Sequence, residues 1–220
     1  MPRTAPEALE RLRAGNRRFV DHVISLEALL SHARRAEHAI AQEPFAVILG
    51  CSDSRAPAEF VFDQGLGDLF VIRVAGNIAA PSQIGSVEFA VERFCIRLVV
   101  VLGHSNCGAV QATLDAIDHP DEVSPGLQAI VGRIQPGLSG IDDGEIGSCR
   151  IQTAVRANVR HTVSRLHADS PILEKMVREQ GLLIVGADYS LQTGEVDFFE
   201  NMPAERARGE HARIGPLTPG

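Results

Sequence analysis

Phe45-Ala-Val-Ile-Leu-Gly50 and Arg97-Leu-Val-Val-Val-Leu102 are short runs, apolar after the opening Arg97 of the second, and each is followed within a few residues by side chains that bind metal ions. Runs of this length, rich in β-branched residues and without polar alternation, read as strands buried on both faces of a parallel sheet. Leu69-Phe-Val-Ile-Arg-Val74 predicts another strand, Leu182 to Gly186 a fourth, and residues 195–199 an edge strand. Between them lie helical patterns at 83–94 and 106–117. A long amphipathic helix is marked by Ile151, Val155, Val159, Val163 and Leu166. The alternation predicts an α/β fold: a mostly parallel central sheet of four strands plus an edge strand, flanked by helices.

Ahead of the first strand, Leu9, Leu12 and Phe19, then Ile24, Leu29, Ala33, Ala36 and Ile40, give apolar stripes to helices at 5–20 and 24–41. A short loop is expected between the first two strands. Ser124-Pro125 and Ser170-Pro171 each read as an N-cap followed by proline at the first helical position, and Gly181 as the stop of the second of those helices. Residues 136–147, with Pro136, Gly137, Gly140, Gly144 and Gly147, predict a surface loop. At 220 residues and 45% apolar composition the chain suits one domain, divided into an N-terminal helical arm (1–42), an α/β core (43–200) and a C-terminal tail (201–220).

Acidic residues outnumber basic ones by 28 to 21, which removes the broad positive surface that nucleic acids require. Residues 1–19 are charged and lack the apolar core of a signal peptide, and no stretch approaches the length of a membrane span, so a cytoplasmic protein is expected. Thiols stay reduced there and available to metal. Of the four cysteines, Cys95 and Cys149 have no partner spacing, and a disulfide framework is not expected.

Cys51-Ser-Asp53-Ser-Arg55 follows the first strand, and Gly103-His104-Ser-Asn-Cys107-Gly108 follows the strand at 97–102. In open α/β sheets ligands collect at the carboxyl ends of parallel strands, where both segments fall. A catalytic zinc site fixes three protein ligands and leaves one position open, and Cys51, His104 and Cys107 supply three. If the chain stays extended past Cys51, residues 51, 53 and 55 project to one side, so Arg55 can grip Asp53 in a charge-assisted fork. Cys107 is expected in the first turn of the next helix, whose amides favour a thiolate. Gly103 and Gly108 allow close approach to the metal or simply serve turns. Burial alone explains a lone cysteine at a strand end, but less readily a cysteine matched by His-x-x-Cys at a second strand end. A structural zinc site would close its shell with a further Cys or His, and no C-x-x-C is present. A metal-free Cys51–His104 hydrolase remains an alternative. His119 is a candidate proton relay or a surface residue, and Tyr189 borders the cleft or packs in the core.

The C-x-D-x-R and H-x-x-C pair, about fifty positions apart, resembles the zinc signature of the β-class carbonic anhydrases. Supporting similarity runs through Gln42 to Cys51, Asp68 to Asn77 and Gly85 to Val91, and extends over roughly residues 5–200. The resemblance implies Zn2+, one per subunit, on Cys51, His104 and Cys107, with Asp53 and Arg55 as the catalytic pair. Asp53 is also implied as a fourth ligand in a closed state. Gln42, Phe70, Phe89 and Gly108 match positions that shape the CO2 pocket. The implied reaction is reversible hydration of CO2 to bicarbonate by zinc-bound hydroxide, in a homodimer or tetramer whose N-terminal helices pack on a partner subunit. Two thiolates leave the metal less acidic than three imidazoles, which predicts an alkaline activity profile. The alternatives in the same framework are hydrolysis of a related linear substrate such as carbon disulfide, or a non-catalytic zinc-binding regulatory role. Some members carry Tyr where Phe89 stands. Members with a regulatory bicarbonate pocket carry Trp at Ile48, and Arg73 matches a basic residue of that pocket, although its strand context suits a structural role equally.

Overall fold

The computed structural model describes residues 3–31, 39, 41–119, 123–141 and 148–201. Its centre is a five-stranded sheet in the order β2-β1-β3-β4-β5, built from β1 (Ala46–Gly50), β2 (Leu69–Arg73), β3 (Leu98–His104), β4 (Leu183–Tyr189) and β5 (Val196–Glu200). The first four strands run parallel, and β5 returns antiparallel beside β4. Every residue of β1 and β3 is buried, which is why both read as continuous apolar runs.

Alternation along the strands sorts side chains between two cores. Val47, Leu49, Val99 and Val101 pack with Val159, Val163, Leu166 and Leu173 on one face. Ile48, Leu98, Val100 and Leu102 pack with Ala8, Leu9, Leu12 and Phe62 on the other. The first group is covered by α4 (Pro81–Arg93), α7 (Ser148–Asp169) and α8 (Pro171–Gln180), the second by α1 (Ala5–Val20) and the single turn α3 (Ala58–Val61). That turn occupies part of the expected loop between β1 and β2; four residues are too few to produce a periodic apolar signal.

The cap signals hold. Ser124 Oγ accepts from the Leu127 amide at the start of α6 (Pro125–Ile134), Ser170 Oγ from the Leu173 amide, and Gly181 closes α8 in the left-handed region at φ 69°. The long helix expected at 24–41 does not extend to its predicted end: α2 spans Leu26–Ser31, residues 41–44 are non-helical, and 32–38 and 40 lie outside the described residues. Of the loop expected at 136–147, Gln135–Leu138 form a 3-10 turn and 142–147 lie outside the described residues. β3 runs two residues past its predicted end, making His104 its last residue.

Gly103 answers a packing demand. A Cβ there would stand 2.7 Å from Val159 Cγ2 and 3.1 Å from Val155 Cγ1, and one at Gly186 would stand 2.7 Å from Val159 Cγ1. The two glycines seat α7 against β3 and β4. Gly103→Ala is expected to cost about 1–3 kcal/mol of unfolding free energy through overpacking, read by urea denaturation. Gly108→Ala is expected to change stability little, because a Cβ at Gly108 meets nothing within 4 Å.

Candidate metal centre

The carboxyl ends of β1 and β3 deliver the site. Cys51 follows Gly50 directly, and the neighbouring β2 exit holds it in place: the Val74 amide donates to Gly50 O at 3.1 Å and the Gly76 amide to Cys51 Sγ at 3.4 Å. Gly76 adopts φ 72°, a conformation that suits glycine and turns its N–H toward the sulfur. Cys107 is the N-cap of α5 (Gly108–Asp118) rather than a first-turn residue, because Asn106 before it has φ 54° and cannot be helical.

Cys51 Sγ and Cys107 Sγ stand 3.9 Å apart, and with His104 nitrogen they form a buried group whose ligand atoms all lie within 4.8 Å of one another. His104 is 1% exposed, and its Nδ1 lies 3.0 Å from the Ser105 carbonyl. A carbonyl only accepts, so Nδ1 carries the proton and Nε2 presents its lone pair to the group. Nε2 is buried with no hydrogen-bond partner among the described residues. Two thiols and an unpartnered imidazole nitrogen at this separation are a donor set for a borderline-soft divalent cation, and zinc fits it.

Electrostatics agree. Cys51 is pulled well down, first by the hydrogen bond from Cys107, against burial, with help from His104 and the Gly76 amide. Cys107 is pushed up because its proton is shared with Cys51 and because it is buried. Burial works to lower His104, but the contact with Cys51 and its charge outweigh it, and His104 is raised. Negative charge on Cys51 is thus favoured in a buried spot, where a bound cation would balance it.

Asp53 and Arg55 form the expected fork. Arg55 Nε donates to Asp53 Oδ1 at 2.9 Å and Nη2 to Oδ2 at 2.8 Å, and the Arg55 amide also reaches Oδ1 at 2.9 Å. Asp53 Oδ2 lies 3.8 Å from His104 Nε2, at the rim of the ligand group. The Arg55 side-chain bonds hold the Asp53 carboxyl well below the usual carboxylate range. The segment does not stay extended: residues 54 and 55 are a turn, and Ala56 N donates to Asp53 O at 3.1 Å. The turn, not strand alternation, brings carboxylate and guanidinium together.

The pattern of the family described as carbonic anhydrase matches residues 46–196. The chain belongs to the β-carbonic anhydrase family. It is 39% identical over 198 residues to a carbonic anhydrase of Mycolicibacterium smegmatis, covering 90% of this chain and 95% of the relative. It is 41% identical to carbonic anhydrase 2 of Mycobacterium tuberculosis strain H37Rv, covering 88% and 93%. Among solved structures, the β-carbonic anhydrase of Coccomyxa superposes with a TM-score of 0.67 at 26% identity, over 79% of this chain and 86% of that one.

Within this β-carbonic anhydrase chain, the four residues matched to the family's substrate pocket do not gather around the ligands. Phe70 pairs with Val47, four residues before Cys51 and so ~13 Å down the sheet. It belongs to an aromatic trio with Phe89 and Phe94, ring centroids 5.9–6.1 Å apart, and Phe89 is 54% exposed. Gln42 is exposed in the segment before β1. Gly108 alone adjoins a ligand, one residue after Cys107.

Two other sequence candidates resolve. Tyr189 is buried and packs against Phe19, ring centroids 6.4 Å apart, so its role is in the core. His119 is exposed at the C-cap of α5, twelve positions from the N-cap Cys107, and therefore ~18 Å from the site. Asp188 was not legible from the sequence. It lies on β4 opposite Gly103, accepts from Gln152 Nε2, and is 5% exposed with Oδ1 unpartnered among the described residues. Burial raises it, and Arg156, the Gln152 hydrogen bond and, least of all, His104 pull the other way. Nothing in local sequence distinguishes it, because its partners come from α7. Ile48 is fully buried in β1.

Proposed function

We propose that this chain catalyses reversible hydration of carbon dioxide to bicarbonate and a proton, with one zinc ion per subunit on Cys51, His104 and Cys107. The observation that carries the reading is the buried two-thiol, one-imidazole group with an ionised carboxylate fork 3.8 Å from its unpartnered nitrogen. Bound zinc supplies Lewis acidity that draws a nucleophile from water near neutral pH, softened by the two thiolates. Ionised Asp53 can only accept, so it takes a hydrogen bond from the attacking oxygen and aims that oxygen's lone pair at carbon. Arg55 keeps both Asp53 oxygens engaged, which holds the carboxylate ionised and turned from the cation. A purely structural metal site has no use for this fork, and nothing in the geometry favours carbon disulfide hydrolysis.

Gln42, Phe70, Phe89 and Gly108 are assigned to the substrate pocket, with Phe70 and Phe89 completing it across a subunit boundary. Exposed Val23, Ile24, Leu26, Leu30, Phe60 and Leu66 support a homo-oligomer, dimer or tetramer. Phe19, Val23, Ile24, Ala28, Phe60 and Leu66 line a cleft of about 660 Å³ between the end of α1, α2 and α3. α1 itself buries Ala8, Leu9 and Leu12 in its own chain, so among the described residues of the arm the part offered to a partner is α2. Phe60→Asp is expected to shift sedimentation toward monomer and lower activity together; a fully active, stable wild-type monomer would refute the assembly. The same reading makes the protein a lyase, and its need for reduced thiols favours the cytoplasm; no helix among the described residues is long and apolar enough to cross a membrane.

Stopped-flow CO2 hydration with elemental analysis of the same preparation tests the function. Turnover is expected to rise between about pH 7 and 9. Asp53 does not cause that rise. Its folded pKa is depressed, so its stabilising share is present above the ordinary carboxylate value near ~4 and is lost only as pH falls below it. A flat profile from neutral to alkaline pH would count against ionising solvent as the nucleophile's source.

A further inference from the structure

Beyond Gly50 the ladder between β1 and β2 ends, and the carbonyls of the catalytic turn lose their strand partners. Arg73, the last residue of β2 and the Cα partner of Gly50, supplies replacements: Nε donates to Cys51 O at 3.0 Å and Nη2 to Asp53 O at 2.5 Å. One planar guanidinium thus spans two carbonyls two residues apart, one on a ligand residue and one on the catalytic carboxylate's own backbone. The other hydrogen bonds of Asp53 and Arg55 among the described residues lie within residues 51–56. The Asp53–Arg55 fork is therefore a local unit that travels with its turn, and Arg73 is its hydrogen-bonded tie to the sheet.

We propose that Arg73 is a positioning residue: by holding the carbonyls of Cys51 and Asp53 it keeps the Asp53 carboxylate at the rim of the metal centre instead of on the cation. The inference rests on the hydration reading above. Its physical basis is the narrow margin. Asp53 Oδ2 already stands 3.8 Å from His104 Nε2, so a small displacement of the turn brings a carboxylate oxygen into competition for the open position. A misplacement of about 1 Å in a reacting geometry costs on the order of 100-fold in rate.

The test compares wild type, Arg73→Met and Arg73→Lys as metal-loaded proteins. Readouts are kcat and KM for CO2 hydration against pH, and the visible spectrum of the cobalt-substituted forms, which reports the ligand set. Arg73→Met is expected to lower kcat by about 10–100-fold with KM changed far less. The acid limb of its pH profile should move to higher pH, because a competing carboxylate must be displaced, and its cobalt spectrum near neutral pH should differ from wild type. Adding Asp53→Asn should restore the wild-type spectrum. Arg73→Lys, which reaches one carbonyl at a time, should fall between. Wild-type profile and spectrum in Arg73→Met would overturn the proposal, as would a spectral change that persists after Asp53→Asn. If Arg73→Met does not fold, an Arg73→Lys protein with unshifted profile and spectrum overturns it equally. Should wild type itself fail to hydrate CO2, the functional reading falls, while the cobalt spectra still decide whether Arg73 keeps Asp53 off the metal.

Discussion

Asp53→Asn is expected to lower kcat for CO2 hydration by about 10²- to 10⁴-fold, the range associated with a positioned acid–base group, while zinc content stays at wild-type level. The amide keeps the volume of the carboxylate but carries a donor and half the acceptor capacity, so it can neither take the hydrogen bond of the attacking oxygen reliably nor hold the double Arg55 fork. Zinc should remain because Asp53 lies outside the Cys51, His104 and Cys107 group. Arg55→Lys should also be severely impaired. A lysine delivers one point charge where the guanidinium now delivers two parallel bonds, leaving one carboxylate oxygen free to turn toward the cation. Rates within twofold of wild type in both variants, measured by stopped flow on zinc-replete protein, would remove Asp53 and Arg55 from the mechanism.

Cys107→Ala is expected to have the larger effect on the protein as a whole: loss of bound zinc, and activity down by more than about 100-fold, since even outer-shell partners of a metal typically cost 10–100-fold. The remaining pair, Cys51 and His104, offers two donors where a catalytic zinc uses three. Metal binding stabilises whatever state it selects, so chelation should lower the melting temperature of wild type and leave that of Cys107→Ala unchanged. The exposed Cys95 and Cys149 provide the contrast: serine at either should alter stability by no more than about 0.5 kcal/mol and leave zinc content untouched. A Cys107→Ala protein that keeps one zinc per chain and most of its activity would show that the metal is held elsewhere.

The chemistry was legible because it is carried by residue types that proteins use sparingly, at two points where apolar runs stop. Cys51, Asp53, Arg55, His104 and Cys107 all fall within two segments, and backbone connectivity alone places each segment at a strand end. The buried strands were legible for the same kind of reason: β1 and β3 have no solvent face, so every position before the terminal His104 is apolar or glycine. Boundaries were less so. His104 reads as a loop residue because a polar side chain ends the apolar run, yet β4 extends to Tyr189 and keeps the ladder going. Pairing is decided by the neighbouring strand, not by the residue itself.

Sequence alone determined the strand pattern, the metal-binding inventory, the start of α6 and both ends of α8, because each is written in residue types over a short stretch of chain. Only tertiary structure decided that Gly103 exists to seat α7, that Arg73 ties the catalytic turn to the sheet, that Asp188 is buried one strand from His104, and that Phe70 and Phe89 lie away from the ligands of their own chain. Each of those is a relation between residues that the chain separates by tens of positions and that packing brings within a few ångströms. The burial, hydrogen bonding and reach that give such residues their roles do not exist until the sheet and helices have closed around them.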